Sequence, residues 1–211
     1  MQFSVIIYAF DKTFNLPERI KKRFFIMDKK NSTTLLVMTA LLTAMAVVAT
    51  LFFKVPIGPG YIHLGDVVVI LAAFLLPRKY ACFAGAVGAS LADIIGGYAI
   101  WAPWTFAIKL CMVLIMAASL SASAAKAEKN GSVPSFVFGV REVIYMIACT
   151  VLSVGGYYIA EWVIYGNAKA PMLGIPFNAL QTAGGCVVAA LLAKALLRTP
   201  LKVMIADARK N

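Results

Sequence analysis

The sequence predicts an all-α integral membrane protein: a bundle of six transmembrane helices with both termini on the cytoplasmic side. Three observations carry that expectation. The 211 residues are 62% hydrophobic, with a mean hydropathy of +0.85, whereas soluble domains are roughly 45–50% apolar. Apolar runs able to enter a hydrocarbon core recur at 34–53, 64–76, 81–98, 103–122, 143–164 and 175–197. Seventeen of the 20 Lys and Arg residues fall on one side of that arrangement: seven before the first run, two at Arg78 and Lys79, three at Lys126, Lys129 and Arg141, and five from Lys194 onward. Only Lys54 and Lys169 lie on the other side, and Lys109 lies inside a run. Positive charge marks cytoplasmic flanks, so the net charge of +11 is topology rather than a nucleic-acid footprint.

Along the chain, residues 1–32 form a cytoplasmic segment. "MQFSVIIYAF" is too short to span and lacks the small-residue cleavage site of a signal peptide. Met27 opens "MDKKNSTTLLVMTALLTAM" directly before the first run, which makes residues 1–26 an over-extended gene start; the rival is an amphipathic interfacial helix. Intact-mass measurement separates the two, since a native mass that includes Met1 removes the first.

The second run, "VVVILAAFLL" with its short lead-in, covers only thirteen residues, too few to cross a core of roughly 30 Å. It either begins earlier, through the Gly/Pro-rich "VPIGPGYIH", or is shielded by its neighbours. Irregular backbone at membrane depth survives only under protein cover or lining a cavity, which points to a site near residues 55–66. The third run, "ACFAGAVGASLADIIGGY", carries the small-residue stripe Ala81, Gly85, Ala89, Asp93, with Gly88 and Ala92 alongside. Such spacing brings helices close, so Asp93 faces protein, paired with Lys109, in contact with a ligand, or both. In the fourth run Trp101, Trp104 or Thr105, Lys109 and Met112 share a face; in the fifth Tyr157, Glu161 and Tyr165 do; in the sixth Asn178 and Gln181 are i, i+3 neighbours. The membrane domain closes near residue 198, and 199–211 form a basic cytoplasmic tail.

Placed on the predicted topology at about 1.5 Å per residue, Asp66, Asp93, Lys109, Glu161, Asn178 and Gln181 all fall within roughly 10 Å of the outer face. An ion or proton path would string polar groups through the full thickness; this segregation describes a pocket open to the outside and closed below. Aromatic walls with a few hydrogen-bonding groups suit a small flat polar molecule, although Trp101 and Trp162 equally fit an interfacial belt. His63, the single histidine, either caps the pocket from the loop or is a plain interfacial residue. The four cysteines fall inside apolar runs without CxxC spacing and read as buried apolar residues. No GxxxxGK[ST], HExxH or GxSxG motif occurs, so the chain reads as neither an enzyme nor an ATPase, with no cofactor and no metal set. Uphill transport would need a partner.

The six runs, "YIHLGD" at 61–66, "GASLAD" at 88–93 followed by Gly96-Gly97-Tyr98, and "APWTFAIK" at 102–109 resemble the substrate-binding S components of energy-coupling factor (ECF) vitamin transporters, over residues 33–198. The nearest branch takes up hydroxymethylpyrimidine, vitamin B6 forms or pantothenate. The resemblance implies a multi-pass protein of the bacterial cell membrane that binds a vitamin from outside and docks on a module of one transmembrane coupling subunit and two ATPases, toppling to release its cargo. It implies a docking motif at Ala40 and Ala44, with Ala46 and Ala49 near that face, and a lid formed by 54–63. Within that frame the substrate-binding set is Asp66, His63, Trp104, Thr105, Lys109, Tyr157, Glu161, Asn178, Gln181 and Asp93. Three carboxylates against Lys109 favour hydroxymethylpyrimidine or a B6 form and place pantothenate second. An autonomous secondary carrier or channel is the alternative, but it would call for inverted repeats and polar groups across the membrane. A membrane enzyme or scaffold is the third class, and no nucleophile or metal set accompanies the carboxylates.

Overall fold

A computed structural model of the chain describes residues 18–57, 60–129, 140–196 and Arg198. Most of residues 1–26 and the tail 199–211, where the extra gene start and the basic tail were expected, lie outside the described residues. Helix dominates the remainder, in line with the Leu, Ala, Met and Ile content of the apolar runs.

Helix α1 covers Glu18–Phe52, so it begins well before the predicted span. Leu35, Thr39, Leu42, Ala46, Ala49 and Thr50 form its buried face, the spacing expected of one stripe on a 3.6-residue repeat. The hydroxyls of Thr39 and Thr50 donate to the carbonyls of Leu35 and Ala46 at 2.6 and 2.8 Å. Their polar groups are thereby satisfied inside an apolar helix.

The Gly/Pro-rich connection is a two-stranded antiparallel hairpin, β1 (Lys54–Ile57) and β2 (Gly60–His63), with Lys54 opposite His63. Strand pairing satisfies backbone groups that an irregular loop would leave open, and Leu64 N–H donates to Phe53 O at 3.2 Å to close the base.

Helix α2 (Gly65–Leu75) has eleven residues, all buried. At about 1.5 Å per residue it is roughly 16 Å long and touches α1, α5 and α7, so shielding by neighbours is the solution adopted for the short second run. Pro77 ends it: the preceding Leu76 is driven to extended backbone (φ −105°, ψ 154°), as the proline ring demands. Next comes one rod of three pieces, α3 (Arg78–Cys82), a π-helical segment Phe83–Val87, and α4 (Gly88–Ile95). A Cβ on Gly88 would stand 2.9 Å from the Ala46 Cβ, and one on Gly85 2.8 Å from Val113, so glycine permits these approaches. Gly97, at φ +84°, terminates α4 in the left-handed region; Tyr98 N–H then donates to Asp93 O at 2.7 Å, a closure that glycine makes cheap.

Helices α5 (Ala102–Lys129), α6 (Val140–Tyr165) and α7 (Ile175–Leu196), the last preceded by a 3₁₀ turn at Ala170–Gly174, complete the bundle. Among the described residues four helical stretches are long and apolar enough to cross a membrane: Ser32–Phe52, Ala102–Leu120, Val140–Tyr165 and Ala170–Leu196. Their outward faces carry large apolar side chains, including Val143, Ile147 and Val151 on α6 and Leu180, Val187 and Leu191 on α7. So much exposed apolar surface fits a lipid surround.

The stripe on α7 is as small as that on α4. A Cβ on Gly185 would lie 2.9 Å from the Asp66 Cβ and 3.3 Å from the backbone of Asp66 and Val67. Gly185→Leu is therefore expected to push α7 off α2 and lower stability by about 1–3 kcal/mol, read as a reduced melting temperature in detergent; an unchanged melt would show that the contact is slack.

Two expectations need correction. Ala46 and Ala49 do not share the face of Ala40 and Ala44: they are 1% and 9% exposed inside the bundle, whereas Ala40 and Ala44 are exposed. A helix turns about 100° per residue, so six residues beyond Ala40 is most of the way to the opposite side. Nor are all four cysteines buried: Cys149 and Cys186 are, Cys82 is intermediate and Cys111 is exposed.

Candidate functional site

The polar groups meet at the end of the bundle where α2 begins beneath the hairpin. Asp66, in the first turn of α2, is fully buried, and its Oδ1 lies 2.7 Å from Lys109 Nζ of α5, itself 1% exposed. Two charges so far from water are tolerable only when paired and hydrogen-bonded, and both are. Thr182 donates to Asp66 Oδ2 at 2.9 Å and Gln181 Nε2 at 3.4 Å, both from α7; the Thr182 and Ser153 hydroxyls are 2.9 Å apart. Lys109 Nζ also sits 5.1 Å from the centre of the Tyr157 ring, within cation–π range, and 3.8 Å from Met112 Sδ.

The network extends both ways from this pair. Toward the hairpin, Gln181 Oε1 accepts from the His63 backbone N–H at 3.1 Å, so one amide side chain joins β2 to the buried carboxylate. Toward α4, Tyr157 and Thr105 hydroxyls are 3.4 Å apart, and Thr105 hydrogen-bonds the Asp93 carboxyl, which also lies in the field of Lys109 and close to Tyr157. Asp93 is 9% exposed, and its Oδ2 has no hydrogen-bond partner among the described residues.

The short ion pair is thus Lys109 with Asp66, not with Asp93 as the stripe on the third run had favoured. Glu161 and Asn178 form a second, half-buried group: both Glu161 oxygens come within 3.3 Å, and Asn178 Nδ2 within 3.5 Å, of the place a Gly174 Cβ would occupy. Trp104 is half-buried in the first turn of α5. Trp101 meets Tyr165 edge-on at 6.0 Å, and Tyr165 and Trp162 are 57% and 50% exposed, so the fifth-run stripe passes from interior to surface.

Thr182 and Ser153 escaped the sequence reading. A signal existed: Asn178, Gln181, Thr182 and Gly185 share one face of α7, and Ser153, Tyr157 and Glu161 one face of α6. Small hydroxyls are common filler in membrane helices, and only a buried carboxylate opposite gives them a task.

His63, between the first two long apolar stretches, accepts a hydrogen bond from Gly65 N–H on Nδ1 at 3.1 Å. Burial pushes its pKa down from 6.5 to about 4; Lys109 and Lys54 push the same way, and Asp66 opposes them. An undocked imidazole takes a proton near 6.5 and a docked one does not, so docking of the hairpin is strongest above pH 6.5 and is lost as pH falls toward 4. Amide exchange at Gly65, corrected for its intrinsic rate, should rise by up to about tenfold per pH unit below 6.5. His63→Phe should remove the pH dependence, and a wild-type profile that is flat would refute it.

Over 64 residues the chain is 42% identical to a Pyrococcus woesei protein described as "Uncharacterized protein in gap 3'region". The match takes in 29% of this chain and 43% of that protein, under half its length. A family model, "ECF-type riboflavin transporter, S component", matches residues 30–198, which contain every residue of the network. That family is one of transporter subunits rather than enzymes. The chain belongs to the S component family of ECF-type riboflavin transporters.

Proposed function

We propose that the chain binds a flat heteroaromatic vitamin or vitamin precursor at an outward-facing site and delivers it across the bacterial cell membrane with an ATP-driven ECF module. The observation that carries the reading is the gathering of a buried polar network, built on the Asp66–Lys109 ion pair, at one end of a largely apolar bundle, beneath a hairpin able to serve as a lid. The membrane domain would be residues 33–198, with six helices counting the short α2 and the α3–α4 rod as spans, and with cytoplasmic termini. Its partners would be a transmembrane coupling subunit, reached through Ala40 and Ala44, and two ATPases.

Ligand class follows from charge. Lys109 is already neutralised by Asp66 at 2.7 Å, which leaves no cation in the network for the carboxylate of pantothenate. Hydroxymethylpyrimidine and B6 forms therefore stay ahead of pantothenate, and riboflavin, named in the family description, joins them as a flat heteroaromatic. The contacting set proposed is Asp93, Thr105, Tyr157, Trp104, Glu161 and Asn178, with Asp66, Lys109 and Gln181 holding them and His63 above. An autonomous carrier fits less well, since its polar groups should run through the bundle.

Native mass spectrometry of detergent-purified protein, followed by calorimetry with riboflavin, hydroxymethylpyrimidine, pyridoxine and pantothenate, tests this reading. Tight binding of at least one heteroaromatic is expected; tight binding of pantothenate alone would overturn the assignment.

A further inference from the structure

We infer that Asp93 is the residue that selects the ligand, and that it selects a heteroaromatic carrying an exocyclic amine as N–H donor. The inference rests on the vitamin-binding reading and narrows it. Asp93 is buried at 9% exposure, yet among the described residues its Oδ2 accepts from nothing. A buried carboxylate oxygen left without a donor is costly, and ionisable groups inside a membrane domain are retained for function rather than stability.

Among the described residues its neighbours supply no donor to Oδ2. Ser90, one turn earlier on α4, lies 2.8 Å from Ala86 O and 3.2 Å from Ala102 O, and its single proton goes to backbone. Thr105 hydrogen-bonds the Asp93 carboxyl and stands 3.4 Å from the Tyr157 hydroxyl, and Oδ2 is the oxygen still left open. Lys109 is held by Asp66, whose own oxygens are met by Lys109, Thr182 and Gln181. Among the described residues the buried network therefore holds one cation, Lys109, against the two carboxylates Asp66 and Asp93, and the unmatched acceptor is Asp93 Oδ2. It is also firmly placed: the Tyr98 N–H donates to its carbonyl at 2.7 Å in the helix-ending turn. A preset acceptor oxygen left open in this way binds a donor without first breaking a bond, whereas a ligand carboxylate in the same place meets repulsion.

Calorimetry on the full chain in detergent tests the inference with two matched pairs: hydroxymethylpyrimidine and its analogue lacking the exocyclic amine, and pyridoxamine and pyridoxine. Wild type should favour the amine-bearing member of at least one pair by about tenfold or more, because a site built for a donor rejects the analogue without it. In Asp93→Leu, which keeps the branched shape and removes the acceptor, the ratio of dissociation constants should fall to within about twofold, while melting confirms the fold. Thr105→Val, which removes the hydroxyl that hydrogen-bonds the Asp93 carboxyl and keeps the side-chain shape, serves as a second variant and should reduce the ratio in part. An unchanged ratio in Asp93→Leu, or no amine preference in wild type that nevertheless binds a heteroaromatic, would overturn the inference and leave the vitamin-binding reading standing. Failure of wild type to bind any heteroaromatic would overturn both.

Discussion

Lys109→Met is expected to be the most damaging single substitution in the chain. It deletes the cation 2.7 Å from Asp66 and leaves a fully buried carboxylate facing an apolar side chain. Breaking a buried pair from one side costs about 3–5 kcal/mol, because the remaining charge cannot reach water and must be neutralised or drag water inward. The variant should melt well below wild type in detergent and bind no vitamin. The double change Asp66→Leu with Lys109→Met separates the two effects. Removing both charges together should recover most of the stability, since a buried pair replaced by packed apolar groups is often neutral, while vitamin binding stays lost. A Lys109→Met protein as stable as wild type would mean that the pair is hydrated and not the anchor described above.

Bulky substitution at Ala40 and Ala44 should act in the opposite way, on transport alone. Both alanines are exposed on α1, on the face that also shows Leu36, Val37 and Leu41, 57–61% exposed. Small side chains allow a second helix to come close and leave again. Ala40→Trp with Ala44→Trp should leave the dissociation constant for vitamin within about twofold of wild type and cut uptake in cells carrying the ECF module by at least about a hundredfold, the scale of losing an interface hot spot. Ala46→Leu is the contrast: the Ala46 Cβ already stands 2.9 Å from where a Gly88 Cβ would be, so that change should lower the melting temperature as well. Loss of vitamin binding in the tryptophan variant would move Ala40 and Ala44 from docking surface to fold.

Much of the molecule was legible in its sequence. Composition alone put the chain in a membrane, because no soluble core hides so large an apolar share. Helix limits were readable where apolar runs meet punctuation, as at Pro77 and at Gly97. Convergence of Asp66, Lys109 and Gln181 at one end was readable too, since position along a helix depends only on residue count. The quoted motifs were enough to reach the S component family.

Tertiary structure decided who pairs with whom. "VVVILAAFLL" is apolar on every side, so no periodicity tells which way α2 is turned, and Asp66 therefore met Lys109 where the stripe on α4 had pointed to Asp93. Thr182 and Ser153 gained their role only when α6 and α7 closed over that carboxylate. The pairing of β1 with β2 was likewise beyond reach, because glycines and prolines announce a break in helix but not the strand pairing that follows. Sequence determines depth and chemistry in a membrane helix; rotation about its axis, and with it every side-chain partnership, is settled by packing among helices that are nearly as apolar outside as in.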